Sequence, residues 1–316
     1  MSKERPGPVG IIDVGTNAVH LLIAGLGQAG RFRILGSAHD LVRLGEGGFA
    51  RGVLPAAGMR RAEAALRRYA SLMRRHQVNH IEAVATSAVR DARNGSTFLR
   101  RIRARLGIPL RCISARHEAR LIYAGARQAN RLRGKTLMIA VGGGSAQVMV
   151  GDGPALRYAA SVTLGATRLA ERFIRHDPPR PAEVTRLEAH VRRAWAPVAR
   201  AARRRRWSQA LGSSAMIGHL ARAIAAHSAR RRPAASLSAT ISRSKLRRLV
   251  QWLSASTASQ RRCALAGVDS GRRHLLLAAG MVLLGWMELC GVSTLRCVPG
   301  SLREGLIAEW LARRAS

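Results

Sequence analysis

Leu137-Met-Ile-Ala-Val-Gly-Gly-Gly-Ser-Ala-Gln-Val-Met-Val150 sets three consecutive glycines and a serine between two apolar runs. Apolar residues, a small polar break and more apolar residues read as strand, tight turn, strand. Gly142, Gly143 and Gly144 can adopt backbone angles closed to other residues. With no side chains in the way, a phosphate can approach the backbone N–H groups closely, and Ser145 adds a hydroxyl donor. A plain glycine hairpin between two core strands would look the same.

A second stretch repeats the design. Val9-Gly-Ile-Ile-Asp-Val-Gly-Thr-Asn-Ala-Val-His-Leu-Leu-Ile-Ala24 again runs from an apolar strand through a small turn, Gly15-Thr16-Asn17, into an apolar strand. Asp13 stands at the end of the first strand, where a carboxylate can face a phosphate-bound metal. Two such units, about 130 residues apart, imply a duplicated architecture with a cleft between the halves.

That layout resembles the actin-like ATPase superfold. Several further stretches narrow the resemblance. They are Ala85-Thr-Ser-Ala-Val-Arg-Asp-Ala-Arg-Asn-Gly95, Ser114-Ala-Arg-His-Glu-Ala-Arg-Leu-Ile-Tyr-Ala-Gly125, Leu164-Gly-Ala-Thr-Arg168 and Ser301-Leu-Arg-Glu-Gly-Leu306. In this order they are similar to the exopolyphosphatase / guanosine pentaphosphate phosphohydrolase (Ppx/GppA) family in its short two-domain form. The resemblance implies an α/β fold of two actin-like (ribonuclease H-like) domains with a cleft between them. The expected domains are 1–130 and 131–316, with the last helix returning to the first domain. It also implies a phosphoanhydride hydrolase acting on inorganic polyphosphate or guanosine pentaphosphate. Glu118 matches the family's general base on the attacking water. Thr16, Asn17, Arg90, Gly142, Gly143, Gly144 and Ser145 match its phosphate cradle. Asp13 matches a ligand of its magnesium ion.

The chain has 316 residues, enough for two domains with sizeable cores, and 47% of them are hydrophobic. Lys plus Arg number 54 against 17 Asp plus Glu, a net charge of +37. The only lysines are Lys3, Lys135 and Lys245. So strong a skew to arginine matches the codon usage of a GC-rich, bacterial genome, which accounts for part of the charge. The field still attracts polyanions. No basic-aromatic cluster is present to stack bases, which ranks nucleic acid last among the partners. A homodimer is the expected assembly. The four cysteines, Cys112, Cys263, Cys290 and Cys297, have no zinc spacing and read as free thiols in a cytoplasmic protein. The N-terminus has no apolar signal core. The apolar run Leu275 to Met287 is shorter than the ~20 residues of a membrane span and reads as a buried helix.

Along the chain, Arg31 to Ala38 should complete a meander, and residues 55–76 should be helical, with Leu66, Tyr69, Leu72 and Met73 on one face. A strand from His80 to Ala85 should deliver Thr86, Ser87 and Arg90 to its C-terminal end, where Arg90 could grip a phosphate bidentately. A helix should run from Arg116, with Glu118 in its first turn, where the helix N-terminus favours a carboxylate. The second half should begin near Arg131. It should include a strand at Ala155–Val162, a helix at 181–206, a strand into the turn Gly212-Ser-Ser-Ala-Met216, and a loop at 228–240. Helices near 243–256 and 271–290, a strand at Leu295–Val298 and a closing helix from Leu302 should follow.

The chain departs from the family's second loop, Asp-(Ile/Leu)-Gly-Gly-Gly-Ser-Thr-Glu. Ala140 and Gln147 stand where the family has acids implicated in holding the divalent cation. His117 and His274 stand where acidic residues are usual, and Ala215-Met216 where Gly-Thr is usual. Magnesium prefers hard oxygen ligands, often one or two carboxylates. Two outcomes follow: turnover with a thinned metal site around Asp13 and Glu118, or a catalytically impaired regulator that binds polyphosphate or an alarmone.

Overall fold

A computed structural model describes residues 7–26, 32–130, 132, 134–228, 239–265 and 267–315. They fall into two compact units. Unit 1 is Met1–Glu118 with Leu306–Ser316, and unit 2 is Ala119–Gly305. The helix Ala115–Ala129 spans the division between the units after Glu118.

Unit 1 starts from three antiparallel strands, β1 (Val9–Val14), β2 (Ala18–Leu26) and β3 (Phe32–Leu41). Helix α1 (Ala56–Arg75) leads to β4 (His80–Ala85), which lies parallel to β1. A short helix α2 (Ser87–Arg90), helix α3 (Gly95–Leu106) and strand β5 (Leu110–Cys112) follow. The sheet order is β3-β2-β1-β4-β5. Strand residues alternate between faces. Ile12, Val14, Ala83 and Ala85 therefore pack with Leu66, Tyr69, Met73, Phe98 and Ile102 of α1 and α3. Ile11, Asp13, Glu82 and Val84 take the other face. There Glu82 pairs with Arg313, and His80 stacks on Trp310 at 5.9 Å between centroids. Helix α4 (Ala115–Ala129) begins in this unit.

Unit 2 repeats the opening meander as β6 (Lys135–Val141), β7 (Ala146–Asp152) and β8 (Ala155–Val162). Helices α5 (Ala166–Phe173) and α6 (Pro181–Arg203) lead to β9 (Gln209–Gly212), parallel to β6, and α7 (Ala215–Ser228). Then come β10 (Thr240–Ser242), α8 (Arg243–Ala255), α9 (Ala258–Ala264), a 3-10 turn (Ser270–Leu275), α10 (Leu276–Cys290) and β11 (Thr294–Cys297); α11 (Leu302–Ala315) starts in unit 2 and belongs from Leu306 onward to unit 1. The sheet order is β10-β11-β9-β6-β7-β8.

The single helix expected at 271–290 is split, with the 3-10 turn preceding α10. Ser270–Cys290 is long and apolar enough to cross a membrane by length and composition, yet 72% of its apolar window is buried within the fold. Its core packing explains the hydropathy. A Cβ on Gly280 would come within 2.8 Å of Val250, and one on Gly285 within 2.9 Å of Val191. The Trp195 indole N–H donates to the Val282 carbonyl at 2.9 Å. Of the loop expected at 228–240, residues 229–238 lie outside the described residues, as do Arg131, Arg133 and the first six residues.

Candidate active site

Unit 1 presents its turn where β1 passes into β2. The Gly15 amide donates to the Ala18 carbonyl at 2.9 Å. A Cβ at Gly15 would stand 3.1 Å from that carbonyl oxygen, so the tightness of the turn selects glycine. Thr16 is buried. Its carbonyl accepts from Gly45 N at 3.0 Å, and the Asn17 carbonyl accepts from Arg43 N at 2.8 Å. The Arg43–Phe49 loop thereby braces the turn. Asp13 lies two residues before Gly15, opposite His20 on β2 and beside Val84 on β4.

Strand β4 delivers its C-terminal residues to the same edge, where Thr86 N donates to the Val14 carbonyl at 3.2 Å. The Thr86 carbonyl accepts from Val89 N and Arg90 N, starting the one-turn helix that carries Arg90. The Arg90 guanidinium donates through Nη1 to Glu118 Oε2 at 3.0 Å and to the Ile113 carbonyl at 3.1 Å. Its Nε lies 3.8 Å from Asp91. Arg90 therefore meets a protein carboxylate, where sequence reasoning expected only a phosphate.

Glu118 sits in the first turn of α4, where the Ser114 hydroxyl accepts from His117 N at 3.1 Å. Only 8% of Glu118 is exposed. Burial disfavours its charged form and raises its pKa to about 7, against the pull of Arg90, and Asp13 and Asp91 push the same way as burial. Asp13, Arg90 and Glu118 thus form one electrostatic neighbourhood. Near neutral pH Glu118 therefore divides between its protonated and ionised forms. His117 turns instead to α11, with Nε2 2.7 Å from Glu309 Oε2.

In unit 2 the Gly142 amide donates to the Ser145 carbonyl at 2.9 Å. Gly142 does not occupy the left-handed region that the glycine run suggested. A Cβ there would stand 3.0 Å from the Ser145 carbonyl oxygen, so close approach selects glycine. The N-terminus of α5 ties the loop back. Gly142 O accepts from Ala166 N at 2.9 Å, Gly143 O from Thr167 N at 2.9 Å, and Gly144 O from Arg168 Nε at 2.8 Å. Gly165 makes this possible, because a Cβ there would fall 2.2 Å from the Gly144 carbonyl carbon.

Ser145 is buried, and Gln147 Nε2 donates to its hydroxyl at 2.8 Å and to Ser161 Oγ at 3.4 Å. A hydroxyl that accepts from an amide keeps its own proton to donate. The turn at 212–216 behaves differently. Ser214 caps α7, accepting from Ile217 N at 3.2 Å, and Met216 is buried in the core.

Sequence reasoning missed Asp91, the Ser161 contact and the clamping role of Arg168. Arg168 stands in a quoted motif, but its aim at a loop carbonyl depends on how α5 docks on the turn.

The donor set for magnesium is thin around both turns. Among the described residues, no group of three or more His, Cys, Asp or Glu side chains could hold a metal ion. Asp13 offers one carboxylate, Glu118 is committed to Arg90, and at the second turn the alanine offers no ligand while the glutamine presents its amide N–H groups.

The match across the chain agrees with this geometry. Residues 23–314 match the Ppx/GppA phosphatase family. The chain belongs to that family. This Ppx/GppA member is 29% identical over 312 residues to Exopolyphosphatase 1 of Mycobacterium bovis, covering 97% of this chain and 89% of the relative. Exopolyphosphatase 1 of Mycobacterium leprae is 28% identical, with 90% of it covered. Among solved structures, an exopolyphosphatase from Cytophaga hutchinsonii superposes with a TM-score of 0.87 at 29% identity, covering 97% of this chain and 98% of the other. The Aquifex aeolicus Ppx/GppA family member superposes with a TM-score of 0.80 over 98% of this chain and 99% of its own; at 24% identity it supports the fold alone. The fold is α/β, with a three-stranded antiparallel meander opening each unit.

Proposed function

We propose that this Ppx/GppA protein hydrolyses terminal phosphoanhydride bonds of inorganic polyphosphate, with Glu118 as the general base. The observation that carries the reading is a buried carboxylate with its pKa raised to about 7, held by Arg90 beside Asp13. Guanosine pentaphosphate offers the same bond, and the named relatives weight the choice toward polyphosphate.

In the proposed step, Glu118 takes a proton from water as the water oxygen bonds to the terminal phosphorus. The bridging P–O bond breaks and its electron pair leaves with the shortened chain. Orthophosphate is the other product, and Glu118 returns its proton to solvent. Such transfer depends mainly on positioning and charge stabilisation. Thr16 and Asn17 would position phosphate in unit 1. The turn amides of Gly143 and Gly144 and the Ser145 hydroxyl would bind phosphate in unit 2, since the loop carbonyls are tied back to α5. Magnesium, if the substrate brings it, has Asp13 as the nearest candidate ligand.

Phosphate release from polyphosphate and from guanosine pentaphosphate, each with and without magnesium, tests the reading. Release from polyphosphate that Glu118→Gln abolishes supports it. Binding of either ligand without release favours the second reading, an impaired polyphosphate or alarmone regulator. The Gln147 amide at the second turn is the observation behind that alternative.

A further inference from the structure

The outer face of α1 carries arginines at a fixed spacing. Arg60, Arg67 and Arg74 form one row, and Arg61, Arg68 and Arg75 a second, and all six are exposed. Seven residues are nearly two helical turns, so successive guanidinium groups in a row start about 10 Å apart along the helix. The neighbouring α3 adds Arg100 and Arg103, both exposed. Glu63 is the only acid on the two helices. It is buried and already shared by Arg67, Arg101 and Arg105 at 3.5, 2.7 and 3.1 Å. The exposed positions between the arginines are alanine, serine and threonine, with no aromatic side chain to stack a base.

This face also connects to the turn at Thr16 and Asn17. Arg61 Nε donates to the Val42 carbonyl at 2.8 Å, and its Nη2 to the Arg43 carbonyl at 3.3 Å. Arg43 N donates to the Asn17 carbonyl at 2.8 Å. The arginine rows thus start next to the loop that braces the turn and run down the face of the sheet opposite Asp13.

We propose that the α1–α3 face is an exosite for the trailing part of a long polyphosphate chain, an inference that rests on polyphosphate being the substrate. Charge complementarity and continuity with the Asn17 turn identify the occupant. A linear, flexible chain with a charge on every phosphate can follow a helix ridge without presenting bases or a groove. Retained chains would be shortened repeatedly without release, whereas tripolyphosphate, with three phosphates, would span few of the arginines.

The test is a fivefold variant, Arg60→Gln, Arg74→Gln, Arg75→Gln, Arg100→Gln and Arg103→Gln, in the full chain. Among the described residues none of these five pairs with a carboxylate, and none belongs to the proposed catalytic set. Circular dichroism and thermal melting check its fold, and a companion with lysine at all five positions keeps the charge. Binding of chains several hundred phosphates long should weaken by about tenfold or more at low salt, with a shallower salt dependence, because the ligand displaces fewer counterions. Tripolyphosphate binding should stay within about twofold, and the lysine companion should bind long chains like the wild type. Equal weakening for both chain lengths, no weakening, or loss of duplex DNA binding with long-chain binding intact overturns the exosite. Failure of the wild type to release phosphate would sink the proposed hydrolysis separately, since chain-length selectivity is read from binding.

Discussion

In unit 1 the Gly15 amide bonds the Ala18 carbonyl, and in unit 2 the Gly142 amide bonds the Ser145 carbonyl, both at 2.9 Å. A Cβ at either glycine would stand 3.1 or 3.0 Å from the carbonyl oxygen it faces. Two residues upstream the turns part. Asp13 faces His20 across the first hairpin, while Ala140 faces Gln147 across the second. The backbone of a phosphate-shaped turn therefore does not depend on an acid beside it. Close approach and hairpin hydrogen bonds maintain the turn, and the flanking side chains set its charge. Unit 1 has the Asp13 carboxylate beside its turn and Glu118 in the same electrostatic neighbourhood. Unit 2 has an alanine and a glutamine there, and the glutamine amide donates to Ser145.

The largest expected effect comes from Glu118→Gln, which keeps the shape of the site in unit 1 and removes its base. Phosphate release should fall by about 10²- to 10⁴-fold with polyphosphate binding nearly intact. Unchanged release in a steady-state assay would move the chemistry away from unit 1 and dissolve the contrast.

The second test uses pH. With the Glu118 pKa raised to about 7, kcat/KM should rise about tenfold per pH unit below that value and level off above it. Stability should move the opposite way. A carboxyl whose folded pKa lies above its unfolded value contributes most below the unfolded value, near 4.5, and loses that contribution as pH rises through about 7. Thermal melts of wild type and Glu118→Gln should therefore diverge in favour of the mutant between pH 5 and pH 8. Parallel melts across that range would show that Glu118 ionises normally.

Gly165→Ala attacks the support that unit 2 alone gives its turn through α5. A Cβ 2.2 Å from the Gly144 carbonyl carbon cannot be met by turning a side chain, so backbone must move. We expect a loss of roughly 2 kcal/mol or more in urea unfolding, with phosphate binding weakened as well. A variant that unfolds like wild type would show that the α5 clamp does not hold the loop.

Ala140→Asp with Gln147→Glu makes the second turn more like the first. Two hard oxygen ligands beside the glycines should raise magnesium-dependent phosphate release by about tenfold, equal to roughly 1.4 kcal/mol of barrier. A folded double mutant with no gain across a magnesium titration would place the deficit at His117, His274 or Ala215-Met216 instead.

The smallest effect separates the two turns themselves. Gly15→Ala and Gly142→Ala each ask a carbonyl to yield by a few tenths of an ångström. Each should cost about 1 kcal/mol, and the two costs should be equal within error. Unequal costs in matched melts would show that the turns are less alike than their hydrogen bonds.

Much of this was legible along the chain because it depends on neighbours in sequence. The apolar runs around Gly15 and Gly142 marked both hairpins, since side chains alternate along a strand and tight turns need small residues. His80–Ala85 and Ala155–Val162 have the bounds their patterns implied. The absence of acids at Ala140 and Gln147 is a matter of composition and needed no fold to be seen. What only the tertiary structure decided concerns partners far apart in sequence. Arg90 meets Glu118 across 28 residues, Arg168 reaches back 24 residues to Gly144, and Glu309 meets His117 across 192. The raised pKa of Glu118 belongs to this second class. Local sequence put a carboxylate in the first turn of a helix, where the helix N-terminus favours its charge. Burial, which local sequence does not specify, outweighs that preference and raises the pKa of the group to about 7.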